Sequence, residues 1–152
     1  MTDSLENLRR PLRVMLLDDH PLVRFGLEGL LNDDPATCVV GSFGTSQELL
    51  DALAGNPTAA DVVLADYVLA AHDRSCRQLL GELGRAYPAL PVVVFSSRCN
   101  DATVAEARQA GARGYLFKGE RMAAMVQTLV QLCGTAVDAS AAAAVAGAAP
   151  AP

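Results

Sequence analysis

Five runs of β-branched and apolar residues punctuate the chain: RVMLL (13–17), TCVVGSF (37–43), DVVLA (61–65), PVVVF (91–95) and RGYLF (113–117). They are continuously apolar rather than alternating, the pattern of strands covered on both faces. Between them the spacing lengthens to that of a helix. After Pro21, suited to a first helical turn, Val23, Leu27, Leu30 and Leu31 recur at i, i+4, i+7 and i+8. Cys76, Leu79, Leu80, Leu83 and Tyr87 form a second stripe, and Met122, Met125, Val126, Leu129, Val130 and Cys133 a third. Residues 46–54 and 101–110 predict two shorter helices. Strands alternating with helices predict an α/β fold, an open parallel sheet with helices on both faces, because each parallel connection needs a crossover.

Length and composition place this pattern in one domain. A chain of 152 residues, 51% hydrophobic, can bury a substantial core. The expected division is an N-terminal extension over 1–11, a folded domain over 12–134 and an alanine-rich tail or linker over 135–152. That tail reads as a frayed helical extension, a flexible linker or an artificial end. It lacks the core and the phosphate-contacting cations of a helix-turn-helix. A net charge of −5 excludes the basic footprint that displaces phosphate counterions, so direct nucleic-acid binding is not expected. Cys38, Cys76, Cys99 and Cys133 form no C-x-x-C pair and read as small core residues in a reducing compartment. No apolar run spans a bilayer, which predicts a soluble cytoplasmic protein without membrane contact.

The residues that end the strands carry the candidate chemistry. Strand 1 runs into Asp18 and Asp19, strand 3 into Asp66, strand 4 into Ser96 and strand 5 into Lys118. In an open α/β sheet ligands bind outside the carboxyl ends of the strands, so these groups belong to one rim. A single strand-ending aspartate is ordinarily a polar terminator or a helix cap. Three together repel one another unless a cation or a proton joins them. Hard carboxylate oxygens suit Mg²⁺, an ammonium suits a phosphoryl oxygen, and a hydroxyl can donate to one. Lys118 is the one lysine among twelve basic residues, and lysine and arginine are not interchangeable beside a phosphate. His20 and His72 have no partner at ligand spacing along the chain; His20 reads as packing at a helix start and His72 as a solvated loop residue. No G-x-G-x-x-G or G-x-x-x-x-G-K-[ST] phosphate cradle occurs. A flavin carrier of similar architecture is disfavoured, because the acidic trio would repel its phosphate.

The phrases VMLLDDHPLVRFGLEGLL, VVVFSS and AGARGYLFK together resemble the receiver domain of two-component response regulators, of the type found in LuxR/NarL/FixJ-class regulators. The resemblance covers about residues 12 to 134 and implies a flavodoxin-like five-stranded sheet of order 2-1-3-4-5. It further implies that Asp66 is the phosphoacceptor, that Asp18, Asp19, Asp66 and the backbone carbonyl of Val68 hold Mg²⁺, and that Ser96 and Lys118 contact the phosphoryl group. Tyr115 falls at the aromatic switch position, although an aromatic in RGYLF also suits simple packing on the sheet. The implied partners are a sensor histidine kinase and, in a homodimer, a second copy. The implied role is a signalling switch controlling transcription or a partner protein through the face of helix 4, strand 5 and helix 5. Any activity of its own is at most slow autophosphorylation or autodephosphorylation.

The chain departs from that family after Asp66. Receivers usually place a proline-containing turn and a glycine there, whereas this chain reads DYVLAAHDRSC, without the residues that ease a tight turn. Asp73 is the expected cap of a third helix starting near Arg74, leaving 67–74 as an irregular loop. The loop either alters partner choice and phosphoryl lifetime or spoils the metal geometry. In the second case the domain is a phosphate-independent interaction module.

Overall fold

In the computed structural model, residues 10–98, 100–118 and 122–133 are described, with the side chains of Met122 and Ala123 outside that set. The extension through residue 9, Cys99, the segment 119–121 and the alanine-rich segment from residue 134 lie outside the described residues. The elements run β1 (Leu12–Leu17), α1 (Pro21–Asp33), β2 (Thr37–Phe43), α2 (Ser46–Gly55), β3 (Val62–Asp66), α3 (Cys76–Ala86), β4 (Val92–Ser96), α4 (Asp101–Ala110), β5 (Gly114–Phe117) and α5 (Met122–Cys133). The five strands form one parallel sheet of order β2-β1-β3-β4-β5, as the sequence led us to expect.

The strands are buried because each face meets helices. Met15, Leu17, Val63, Ala65, Val92 and Val94 pack on one face with Leu49 and Leu53 of α2, Leu79, Leu80 and Leu83 of α3, and Ala107 of α4. Val14, Leu16, Val62, Leu64, Val93, Phe95 and Leu116 pack on the other with Leu27 and Leu31 of α1 and Met125, Val126 and Leu129 of α5. Alternate residues thus serve opposite cores, which is why the runs carry no polar interruptions.

Three details differ from the expectations. The stripe of α1 is narrower than its spacing suggests: Leu27 and Leu31 are buried, but Val23 and Leu30 are exposed, together with Leu22 at 87% and Phe25 at 76%. The helix starting near Arg74 begins instead at Cys76, capped by Ser75, whose side chain accepts from the Gln78 N–H while the Gln78 side chain accepts from the Ser75 N–H. Of the described cysteines, Cys76 lies in the core and Cys38 and Cys133 are partly exposed; burial pushes the thiols of Cys76 and Cys133 up to about 12.

The turn between α4 and β5 has a requirement that one residue type meets easily. Gly111 closes α4 at φ 118°, in the left-handed region, and its N–H bonds the Arg108 carbonyl at 3.1 Å.

Candidate functional site

Parallel register brings the strand ends to one rim. Leu17 pairs with Ala65, so Asp18, one residue on, emerges beside Asp66. Asp66 pairs with Phe95, and Ser96 with Phe117, so Ser96 and Lys118 leave the neighbouring strands at the same level. Asp66 and Ser96 are themselves the last residues of β3 and β4, one position inside the sheet relative to the predicted runs. Backbone bonds tie the rim together: Asp18 N–H to Phe43 O at 3.1 Å, Tyr67 N–H to Phe95 O at 2.9 Å and Lys118 N–H to Ser96 O at 2.7 Å.

Four charged side chains meet there. Asp18 is 0% and Asp66 3% exposed. Lys118 Nζ lies 3.2 Å from Asp66 Oδ1 and 3.6 Å from Asp18 Oδ2. Its ammonium also sits 4.6 Å from the centroid of the Phe95 ring, which holds the lysine head over an apolar floor. Burial pushes the Asp66 carboxyl above the ordinary carboxylate range, opposed by the charge of Lys118 and reinforced by that of Asp18. A carboxylate in this position is costly to ionise without a cation. The Val68 N–H donates to Asp66 Oδ1 at 3.3 Å.

His20, read from the sequence as a packing residue without ligand-spaced partners, is brought into this group. Its Nδ1 lies 3.2 Å from Asp18 Oδ1 and 3.2 Å from Asp19 Oδ1, and its N–H donates to Asp18 Oδ1 at 2.9 Å. Asp18, Asp19, His20 and Asp66 each present a ligand atom within 4.8 Å of the others. Asp18 Oδ2 and Asp19 Oδ1 are buried and accept no hydrogen bond. Unsatisfied buried carboxylate oxygens are expensive, and a divalent cation is the chemistry that satisfies them. The residues present therefore fit Mg²⁺ or a related ion.

Ser96 is buried on the rim, with its Oγ accepting from the Arg98 N–H at 2.9 Å. Tyr115, on β5, donates its hydroxyl to the Arg98 carbonyl at 2.8 Å. The Tyr115 ring lies 6.2 Å from that of Tyr67, tilted by 55°, and Tyr67 donates to Glu106 of α4 at 3.0 Å. Burial and the Glu106 carboxylate push the Tyr67 phenol up. This link from β3 through an aromatic pair to α4 had no sequence signal beyond two tyrosines far apart.

The loop after Asp66 folds without glycine or proline. Asp73 N–H bonds Ala70 O at 2.9 Å, closing a turn, and no described non-glycine residue has positive φ. Leu69 is drawn into the core. Asp73 is not the cap of α3; its carboxylate accepts from the Ser46 N–H at 2.9 Å and from the Ser46 hydroxyl in the first turn of α2, whose N-cap is Thr45. Arg74 adds bonds to Ser46 Oγ at 3.0 Å and Gln47 Oε1 at 3.1 Å and pairs with Glu82 at 2.5 Å. The far end of the loop is thereby pinned to the start of α2, while Val68 at its near end stays bonded to Asp66. His72 lies in the turn, outside that cluster.

A family model described as "Response regulator receiver domain" matches residues 14–130. Over 120 residues the chain is 34% identical to the response regulator GacA of Pseudomonas viridiflava, spanning 78% of this chain and 53% of that protein. Over 109 residues it is 38% identical to the DNA-binding transcriptional activator DevR/DosR of Mycobacterium tuberculosis, spanning 70% and 47%. The chain thus spans about half the length of these relatives. Among solved structures, the signal receiver domain of the response regulator NarL from Mycobacterium tuberculosis superposes with a TM-score of 0.69 at 29% identity, covering 80% of this chain and 94% of that one.

Proposed function

The chain belongs to the response regulator receiver domain family, and from that premise we propose that Asp66 accepts a phosphoryl group from a sensor histidine kinase in a Mg²⁺-dependent reaction. The observation that carries the proposal is the buried Asp66 carboxylate set 3.2 Å from the Lys118 ammonium and within 4.8 Å of the ligand atoms of Asp18 and Asp19.

In this reading an Asp66 carboxylate oxygen attacks phosphorus, the bond between phosphorus and the donor's imidazole nitrogen breaks, and the nitrogen regains a proton. An acyl phosphate results. Asp18, Asp19, Asp66 and the Val68 carbonyl would hold the cation, which when bound neutralises charge shared by carboxylate and phosphoryl oxygens. Lys118 offers its ammonium to a phosphoryl oxygen. The Ser96 hydroxyl, now an acceptor from the Arg98 amide, has a proton to donate to another. The chain's contribution is positioning and charge, with no elaborate covalent apparatus.

Phosphorylation would then shift a two-state equilibrium of the face built from α4, β5 and α5. Tyr115 would serve as its switch residue, moving with the β4–α4 segment whose Arg98 carbonyl it holds. Control of transcription, pairing as a homodimer and a cytoplasmic location complete the proposal; among the described residues no helix is long and apolar enough to cross a membrane. The anchoring of Asp73 and Arg74 on α2 supports a working site, because the loop closes its turn while Val68 stays beside Asp66.

The test is incubation with a small-molecule phosphodonor, with and without Mg²⁺, read by intact mass. One phosphoryl increment that needs Mg²⁺ and vanishes in Asp66→Asn is the expected result. No increment in the wild-type chain, or an equal one in Asp66→Asn, refutes it and leaves the phosphate-independent module.

A further inference from the structure

We infer that His20 is a ligand of the cation in the acidic pocket and adds a nitrogen donor that favours first-row ions, Mn²⁺ included, over Mg²⁺. This rests on the reading of the pocket as a metal site and adds a residue and a selectivity to it.

The spacing is that of a coordination edge. In an octahedron with bonds of about 2.1–2.2 Å, neighbouring donors stand about 3.0 Å apart and opposite donors about 4.3 Å. His20 Nδ1 stands 3.2 Å from a carboxylate oxygen of each of Asp18 and Asp19, and all four candidate ligand atoms fall within 4.8 Å. The 3.2 Å contacts match neighbouring donors, while the widest separation exceeds that of opposite donors, so one cation would draw the imidazole and the carboxylates closer as it binds.

A second observation also points to an ion. Asp18 is fully buried, its Oδ2 accepts no hydrogen bond, and the nearest cation, Lys118 Nζ, lies 3.6 Å away while closer to Asp66. That oxygen has the Lys118 ammonium as its charged neighbour, beyond hydrogen-bond length. Hydrogen bonding within the protein does not supply its partner.

Local backbone geometry positions the ring. His20 is the N-cap of α1, at φ −94° and ψ 107°, and its N–H is held by Asp18 Oδ1. The imidazole makes no capping bond of its own, and its side chain is 64% exposed. It has no part in the core; what holds it between two carboxylates is the polar contact of Nδ1 with Asp18 Oδ1 and Asp19 Oδ1, the contact a shared cation would replace.

The chemical consequence follows from donor type. Mg²⁺ is hard, takes oxygen and gives up water reluctantly, so an imidazole adds little to its binding. First-row divalent ions from Mn²⁺ onward accept imidazole nitrogen more readily than Mg²⁺ does, Mn²⁺ least among them, and bind mixed nitrogen and oxygen sites more tightly. Exchanging His20 should therefore alter metal preference far more than it alters Mg²⁺ affinity.

The experiment uses the untagged full chain with Mn²⁺ and Mg²⁺ as probes. It compares wild type, His20→Ser, which keeps a good N-cap, and Asp18→Asn. Electron spin echo modulation of bound Mn²⁺ should show a directly coordinated nitrogen in wild type and none in His20→Ser. Titration should show Mn²⁺ affinity falling about tenfold or more in His20→Ser while Mg²⁺ affinity changes less than about threefold. Asp18→Asn should weaken both ions, locating them in this pocket. Mn²⁺ binding without a nitrogen signal, an equal loss for both ions, or a nitrogen signal surviving His20→Ser overturns the role of His20 and leaves the carboxylate site intact. Failure of wild type to bind either ion overturns the metal site itself.

Discussion

Asp18→Asn should make the cation-free fold more stable. Asp18 is buried beside Asp19 and Asp66, with ligand atoms no more than 4.8 Å apart. At an effective dielectric near 20, each of its two repulsions is then worth roughly 3 kcal/mol or more. Against them stands the attraction to Lys118 at 3.6 Å, roughly 5 kcal/mol on the same scale. The amide also escapes the desolvation of a buried charge, and its oxygen can still accept from the His20 N–H. After screening at half-buried Asp19, a net gain of about 1–2 kcal/mol is expected.

The assay is urea unfolding followed by far-UV circular dichroism, since the chain has no tryptophan, in chelator at neutral pH and low salt. Excess Mg²⁺ should reverse the ranking, because an ion that binds only the folded state adds about 2.7 kcal/mol at a hundredfold excess over Kd. The pH dependence has a definite sign. Burial, reinforced by Asp18, raises the folded pKa of Asp66 above the ordinary 3.8. The unfolded chain therefore releases this proton first, and wild-type stability falls as pH rises from the ordinary carboxylate range through the folded value. Without the charge of Asp18 that window narrows, so the advantage of Asp18→Asn should be smallest in acid and grow toward neutrality. An Asp18→Asn chain less stable than wild type in chelator at neutral pH would refute the reasoning.

Two further outcomes follow from the loop and the tyrosine pair. Asp73→Ala removes the cap on the Ser46 N–H and should cost about 1–2 kcal/mol, with faster amide exchange at Ser46 as the local readout. Although burial acts to raise it, hydrogen bonds from Ser46 and Arg74 hold the Asp73 carboxyl below the usual range. Its stabilisation is therefore present above the unfolded value and lost as pH falls through the folded one; an Asp73→Ala cost independent of pH in acid would count against the cap. Tyr67→Phe breaks the bond to Glu106 at a cost below about 1 kcal/mol. It should speed amide exchange in α4 and remove a tyrosine step displaced to alkaline pH from a spectrophotometric titration; unchanged exchange in α4 would sever the proposed link.

Much of the site was legible because its residues end strands. A run such as VVLAD announces both a buried strand and the polar residue where the chain leaves the core, and the parallel alternation sends all such residues to one rim. His20 lies at a helix start, as expected, but sequence spacing does not reveal that its Nδ1 stands 3.2 Å from a carboxylate oxygen of both Asp18 and Asp19. Asp73 was assigned to the wrong helix for a similar reason: a cap looks like a local signal, yet this carboxylate reaches Ser46, 27 positions earlier. The turn at Ala70–Asp73 forms within ordinary negative φ, so it never needed the missing glycine.

What the sequence determined by itself was the alternation of strands and helices, the two-sided burial of the strands, and the identity of the polar groups at their ends, because each depends on local periodicity and composition. Tertiary structure decided which of those groups touch. Lys118 pairs with Asp66 and Asp18 because β1 flanks β3 on one side while β4, and β5 beyond it, follow on the other at matching register. Tyr67 reaches Glu106 because α4 packs across the loop. Leu22 and Phe25 stay exposed because α1 offers the sheet only one narrow stripe. Contacts of that kind depend on relative strand level and helix rotation, quantities that the chain acquires only when its two cores close.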